Sequence, residues 1–180
     1  MAKAARIHPL EDRIHAGNTV VLAPVDSRER ISLRADAATA KALAKPLGLS
    51  LPPTPAAVAS KGGKAALWIG PDEWLLIGPD NGSLAKALEK VGRQVYSAAD
   101  ISHRNTAVTV SGAKVTAVLN SGCPRDLSLE AFPVNTCSRT VLGKAEIILW
   151  RTGKREFHVE CWRSFSDYVW KFLVDAIRSA

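Results

Sequence analysis

Three cysteines, Cys123, Cys137 and Cys161, are all that the 180 residues contain. None stands in a Cys-x-x-Cys pair and their number is odd, so the sequence supports neither a disulfide framework nor a zinc knuckle. Reduced thiols in a cytoplasmic protein are the matching expectation. Long hydrophobic runs are also missing. The longest, such as Leu67-Trp68-Ile69 and Ile147 to Trp150, are far too short to span a bilayer. From Met1 to His15, charge alternates with Ala, Ile and Pro, and no continuous apolar stretch reads as a secretory signal. There is no Gly-x-Gly-x-x-Gly and hence no dinucleotide fingerprint. Gly62-Gly63-Lys64 lacks the remainder of a phosphate-binding loop and the helix that should follow it. His8, His15 and His158 show no metal-ligand spacing with one another or with Cys161. His158, flanked by Phe157 and Val159, is expected to face outward from a half-buried strand.

Runs of one charge are absent too. The net charge is +7 and the sequence pI about 9.6. Residues 1–100 hold 13 Lys+Arg against 10 Asp+Glu, and residues 101–180 hold 11 against 7. Positive charge is therefore spread, whereas a nucleic-acid module concentrates it on one face or tail. What remains is a mildly positive surface suited to steering onto an acidic partner. Hydrophobic residues make up 47% and mean hydropathy is +0.01, enough for a sizeable core in one domain or two small halves.

Along the chain, Val20 to Ala23 and Ile31 to Arg34 read as short strands with a turn at Asp26-Ser27-Arg28-Glu29. Asp36 is the N-cap of a helix from Ala37 to Leu47, which Pro46 should end. Gly48 to Gly63 reads as a long surface loop. Ala65 to Ile69 and Glu73 to Ile77 form a hairpin, and Ser83 caps a helix through Val91. The order then returns. Ala107 to Val110 is a strand, Ser111-Gly112 turns into a helix from about Ala113 to Asn120, and Gly122 stops that helix in the left-handed region. After a loop from Cys123 to Asn135, Lys144 to Trp150 and Glu156 to Cys161 make a second hairpin. Ser164 or Ser166 caps a last helix to about Ile177, with Phe165, Tyr168, Val169, Phe172, Leu173, Ala176 and Ile177 as its apolar stripe. The fold class is therefore α+β and internally duplicated, each half being strand, helix, hairpin and helix. The domain runs over 18–180, with half-repeats of about 18–96 and 97–180 behind an N-terminal arm of 1–17. Neither half can bury its apolar faces alone, so the two are expected to share a core.

Candidates for chemistry are few. Ser102 and His103 would point to opposite faces of an extended segment, a poor geometry for a dyad. Asp100 and Ser102 share a face and are suited to hold the entry to the strand through main-chain bonds. Cys123 follows a helix C-terminus, where the dipole disfavours a thiolate. No convincing active site emerges from the residues.

Three segments are more specific: Trp68-Ile69-Gly70-Pro71-Asp72-Glu73-Trp74, Asp100-Ile101-Ser102-His103-Arg104-Asn105-Thr106, and Gly122-Cys123-Pro124-Arg125-Asp126-Leu127. With Phe132-Pro133, Arg139-Thr140-x-Leu142-Gly143-Lys144-Ala145 and Arg163-Ser164-Phe165-x-Asp167-Tyr168-x-Trp170, they resemble the gamma subunit of heterotetrameric sarcosine oxidase over roughly residues 18–178. Asn135 stands where that pattern has glycine; asparagine tolerates the positive φ such a turn needs. The stretch from Asp100 to Leu119 is also similar to glycine-cleavage aminomethyltransferases and implies a folate-binding-domain-like fold. The acidic pair of those enzymes would fall near Ala145-Glu146-Ile147, where only Glu146 is acidic.

The resemblance implies a cytoplasmic complex that demethylates sarcosine oxidatively to glycine with hydrogen peroxide as product. With tetrahydrofolate it gives 5,10-methylenetetrahydrofolate. It implies alpha, beta and delta subunits as partners, with FAD, FMN, NAD, tetrahydrofolate and zinc in those subunits. In this chain it implies no cofactor and no catalytic residue. Candidate partner contacts are His103, Arg104, Arg125, Arg139, Trp162, Arg163 and Trp170, because Arg and Trp are favoured interface anchors. Two other readings stand beside it: a free-standing folate-binding one-carbon-transfer protein, and a basic RNA-binding module on the same fold.

Overall fold

A computed structural model describes residues 8–92 and 94–180. The strands are β1 (His15–Ala16), β2 (Val20–Pro24), β3 (Arg28–Ala35), β4 (Val58–Lys61), β5 (Lys64–Gly70), β6 (Glu73–Pro79), β7 (Tyr96–Asp100), β8 (Asn105–Gly112), β9 (Cys137–Leu142), β10 (Ala145–Gly153) and β11 (Glu156–Trp162). The helices are α1 (Ala37–Leu47), α2 (Ser83–Glu89), α3 (Val115–Asn120) and α4 (Ser166–Arg178), the last preceded by a 3-10 turn at Arg163–Phe165.

These strands form two antiparallel sheets, ordered β1-β2-β8-β11-β10-β9 and β4-β5-β6-β3-β7. The expected turn at Asp26 is not a hairpin. β2 pairs with β8 in one sheet, while β3 pairs with β6 and β7 in the other. The chain changes sheet again between β7 and β8. Each first strand thus completes the sheet built mainly by the other half of the chain. Four strands absent from the sequence reading are the edges of the two sheets: β1, inside the expected arm, and β9 in one, β4, inside the expected loop, and β7 in the other. Gly62 and Gly63, with φ of 59° and 75°, make the two-residue turn between β4 and β5. Paired positive φ is what such a hairpin demands.

Helices cover one face of each sheet. Val115, Val118, Leu119, Val169, Trp170, Leu173 and Ile177 pack on Leu22, Val108, Val110, Leu149, Phe157 and Val159 of the six-stranded sheet. Leu43, Leu47, Leu84 and Leu88 pack on Ile31, Leu33, Trp74 and Leu76 of the other. The remaining faces meet through Leu67, Leu75, Ile77 and Cys137, with Ile148 and Trp150 against them. There are thus two helix-on-sheet cores and a third cluster between the sheets, rather than one shared core. Leu10, within the segment read as an arm, is fully buried in the first core. Residues 1–7 of that arm lie outside the described residues.

Local chemistry explains most element ends. Asp36 caps α1 by accepting from Thr39 N at 2.7 Å, as its sequence position predicts. Pro46 falls in the last turn, and the helix closes at Gly48, whose φ is 65°. Ser83 does not cap α2. Glu29 of β3 does so from across the sheet, its carboxylate accepting from Leu84 N at 2.9 Å and Ala85 N at 2.8 Å. No side chain caps α4; Ser166 is its first residue and donates back to the Arg163 carbonyl. Gly122 does not take a positive φ, and Ser121, which follows α3, is right-handed. The requirement at Gly122 is space: a Cβ there would sit 2.4 Å from Cζ of Phe172 and 3.0 Å from Gly143 N. Asn135 takes a φ of 65°, the turn geometry expected of it.

Candidate functional site

The sheets are tied by a buried polar centre. Arg30 leaves the inner face of β3, and its Nε donates to both carboxylate oxygens of Glu160 on β11, at 3.0 and 2.7 Å. His158 Nε2 lies 2.7 Å from Glu160 Oε1. These side chains are 3%, 0% and 8% exposed, so little solvent screens them. His158 therefore does not face solvent: the second sheet covers the side of β11 that alternation assigned to water. Burial works against the Glu160 carboxylate, yet the Arg30 charge and the His158 hydrogen bond outweigh it and hold the group below its ordinary pKa. Asp100 and Ser102 complete the centre. Ser102 N donates to Asp100 Oδ1 at 2.9 Å, and Arg30 N donates to Ser102 Oγ at 2.9 Å. That is the strand-entry role expected for the pair, extended across to β3.

This centre has no poised nucleophile. Cys161, one residue from Glu160, has its thiol pushed up to about 12 by burial and the adjacent carboxylate. Cys137, on the same inter-sheet face, is pushed up to about 12 by burial. A neutral thiol is a poor nucleophile. Among the described residues no group of three or more His, Cys, Asp or Glu could hold a metal ion, and no helix is long and apolar enough to cross a membrane.

Beside the polar centre a crevice of about 40 Å³ opens between the sheets. Arg104, Arg139 and Trp162, far apart in sequence, all line it. The Arg104 guanidinium carbon stands 5.2 Å from the Trp162 ring centroid, and Trp162 packs on Phe165 at 6.3 Å. Arg163 N donates to the Arg104 carbonyl at 2.7 Å, locking the strand end to the turn that carries Arg104. Arg139 meets Glu73 of the opposite sheet at 3.0 Å, and Arg34 reaches the same carboxylate at 3.3 Å. Trp162 and Phe165 are 41% and 40% exposed, large apolar rings presented to solvent under arginine charge. His103 is exposed on the neighbouring turn. Two sequence candidates lie elsewhere. Arg125 is exposed on the loop after α3, where its carbonyl accepts from Asn120. Trp170 is 7% exposed and belongs to the core, so the stripe of α4 is rotated from the one expected and leaves Phe165 outside.

Residues 32–179 match the family model described as sarcosine oxidase, gamma subunit family. The chain belongs to that family. It is 36% identical over 138 residues to the sarcosine oxidase subunit gamma of Corynebacterium sp. (strain P-1), covering 76% of this chain and 68% of the relative. The corresponding subunit of an Arthrobacter species is 35% identical over 162 residues, covering 88% and 80%. A chain of heterotetrameric sarcosine oxidase from Corynebacterium sp. U-96, solved with pyrrole 2-carboxylate, superposes with a TM-score of 0.89 at 31% identity, covering 97% of this chain and 95% of that one.

The gamma-subunit fold is shared more widely. Glycine cleavage system aminomethyltransferase T from Bartonella henselae matches with a TM-score of 0.65 at 11% identity, over 87% of this chain and 45% of that one. At that identity the likeness concerns fold alone. Within this gamma-subunit fold, sequence reasoning missed Arg30, Glu73, Glu160 and Phe165. Glu160 gave one signal, a carboxylate two residues from His158 on a strand with apolar neighbours. The charges of Arg30 and Glu160 lie 130 positions apart, and only the sheet-to-sheet packing pairs them.

Proposed function

We propose that this chain is the gamma subunit of a heterotetrameric sarcosine oxidase and that it serves the complex by docking rather than by chemistry. The observation carrying this reading is the exposed Arg104–Trp162–Phe165 cluster beside a crevice in which Arg139 is already paired with Glu73. Exposed tryptophan under arginine is the composition of an interface hot spot. In this reading alpha, beta and delta subunits are the partners and the compartment is the cytoplasm, in keeping with three buried, unpaired cysteines. The complex oxidatively demethylates sarcosine to glycine with release of hydrogen peroxide, and passes the one-carbon unit to tetrahydrofolate when that is present.

FAD, FMN, NAD, tetrahydrofolate and zinc belong in this reading to the other subunits. The residues here do not suit folate chemistry. Glu146 stands alone where aminomethyltransferases have an acidic pair, and the crevice it lines, about 40 Å³, has room for a few waters but not for a pterin. The reading also takes the matched strand orders as an internal duplication, β4-β5-β6-β3-β7 answering β9-β10-β11-β8-β2.

Co-expression of the other subunits with and without this chain tests the proposal, read by size-exclusion chromatography and a peroxide assay. Loss of assembly or of sarcosine-dependent peroxide in its absence is expected; full assembly and activity without it would sink the reading. Saturable micromolar binding of tetrahydrofolate by the isolated chain would favour a free-standing one-carbon protein instead.

A further inference from the structure

The match between the two sheets extends to register. Trp68 faces Trp74 across β5–β6 just before a shift at Gly70, and Arg151 faces Phe157 across β10–β11 just before a shift at Gly153. Trp74 pairs with Leu33 of β3, as Phe157 pairs with Val110 of β8. Trp68 N donates to the Ala57 carbonyl at 3.1 Å, as Arg151 N does to that of Thr136 at 3.0 Å. The surfaces over Trp74 and over Phe157 are therefore equivalent places.

They are filled differently. Over Phe157 the chain supplies its own plug. Phe132 is fully buried and stacks on Phe157 with ring centroids 6.3 Å apart. The Arg151 guanidinium lies 4.4 Å from the centroid of that ring and donates to the Leu127 carbonyl. Both Leu127 and Phe132 come from the loop at 121–136, between α3 and β9. The equivalent loop, 48–57 between α1 and β4, is six residues shorter. It satisfies the Trp74 indole, whose Nε1 donates to the Pro52 carbonyl at 2.8 Å, but brings no aromatic ring. A cavity of about 500 Å³ is left, floored by Trp68 and Trp74 and walled by Ala40 and Ala44 of α1. Lys41 and Asp72 also line it, one cation and one anion. Such a pair sets up no field that selects a charged ligand.

We propose that this cavity is a socket for an aromatic side chain carried on a loop of a partner subunit. The second half of the chain shows what the place takes: a phenylalanine from a long loop, laid on the ring of the β11 residue that corresponds to Trp74. The first half keeps the ring and the apolar walls and lacks the plug. The cavity has room for an aromatic anchor together with part of the loop that carries it, and small alanines on α1 let a flat ring enter edge-on between helix and sheet. This inference rests on the reading of the chain as an assembly subunit, although the socket lies on a different surface from the Trp162 cluster.

Hydrogen–deuterium exchange of the purified complex against the isolated chain tests it. Protection of residues 37–47 and 50–53 on assembly is expected, independently of any variant. Ala44→Phe, which fills the cavity from inside, should weaken association about tenfold or more, with the melting temperature of the isolated chain unchanged. If Ala44→Phe does not fold, Trp68→Ala, which removes the floor, should weaken association by a similar factor, at a cost to the stability of the isolated chain because Trp68 packs against the core. A complex that forms with residues 37–47 exchanging as in the free chain overturns the socket and leaves the subunit reading standing. Failure of any complex to form overturns both. Dimerisation of the isolated chain with the same protection would assign the cavity to a second copy, and a small molecule retained there in native mass spectrometry would assign it to a ligand; either overturns the proposal.

Discussion

Arg30 and Glu160 stand on strands of different sheets, and the Nε of the one donates to both oxygens of the other at 3.0 and 2.7 Å. A pair this deeply buried is weak proof of stability, because desolvating two charges offsets most of their attraction. Its removal from one side is another matter. Glu160→Gln leaves the Arg30 charge buried without a counter-ion and should cost about 3–5 kcal/mol, measured by urea unfolding. Arg30→Met with Glu160→Leu should recover most of that loss. The pH dependence follows from the carboxyl being held below its ordinary pKa. A depressed folded value gives stability that is present above the unfolded pKa of about 4.3 and lost as pH falls through the folded one. The wild-type chain should therefore lose stability below about pH 4.3 more steeply than Glu160→Gln does.

The buried thiols make a prediction at the other end of the pH scale. Cys137 and Cys161 are both pushed up to about 12, chiefly by burial. At pH 8 they are neutral in the folded chain, so a thiolate-directed reagent such as iodoacetamide should leave both unlabelled until denaturant is added. Rapid native labelling of either would show that the inter-sheet face opens. A raised folded pKa gives stability present below the unfolded thiol value of about 8.5 and lost as pH climbs toward about 12. Unfolding midpoints should accordingly drop above about pH 8.5, and less so in Cys137→Ala.

Helix α1, both hairpins and the strand-entry role of Asp100 and Ser102 were legible in the sequence, because each is set by local chemistry. A helix cap and period-two alternation act over a few residues. The exchange of first strands was not legible: Tyr96-Ser97-Ala98-Ala99-Asp100 has little intrinsic strand preference and becomes β7 only because β3 offers it an edge. His158 was misplaced for a related reason. Alternation tells which two faces a strand has, and a second sheet decides that neither is wet. At the site, Arg104, Arg139 and Trp162 were readable as anchor types, while their convergence depends on strand pairing, which sets Trp162 opposite Asn105, and the exchange of Trp170 for Phe165 depends on how α4 is rotated against its sheet.

Gly122 and Phe172 offer a test of packing that no propensity argument anticipates. A Cβ at position 122 would lie 2.4 Å from the Phe172 ring, with Gly143 N behind it at 3.0 Å. Gly122→Ala should destabilise by about 1–3 kcal/mol through overpacking. The left-handed reading predicts a strain that no change at position 172 relieves. The observed geometry predicts the reverse: Gly122→Ala with Phe172→Leu should be markedly more stable than the two separate losses imply, a positive coupling measured in a double-mutant cycle.

The Trp162 cluster separates docking from folding most directly. Trp162 is 41% exposed and, among the described residues, its ring contacts are with Arg104 and Phe165, so Trp162→Ala should change the stability of the isolated chain by about 0.5 kcal/mol or less. In the complex the same ring would be covered, and truncating an interface tryptophan of this kind costs about 2 kcal/mol or more. Arg104→Ala should lose part of the same energy, and the two losses should be sub-additive, because the guanidinium and the indole act as one unit at 5.2 Å. Binding of each variant to the remaining subunits, measured by interferometry at two salt concentrations, tests this. Arg104→Ala should flatten the salt dependence, whereas Trp162→Ala should leave it intact. Unchanged affinity in both variants would remove this face from the interface.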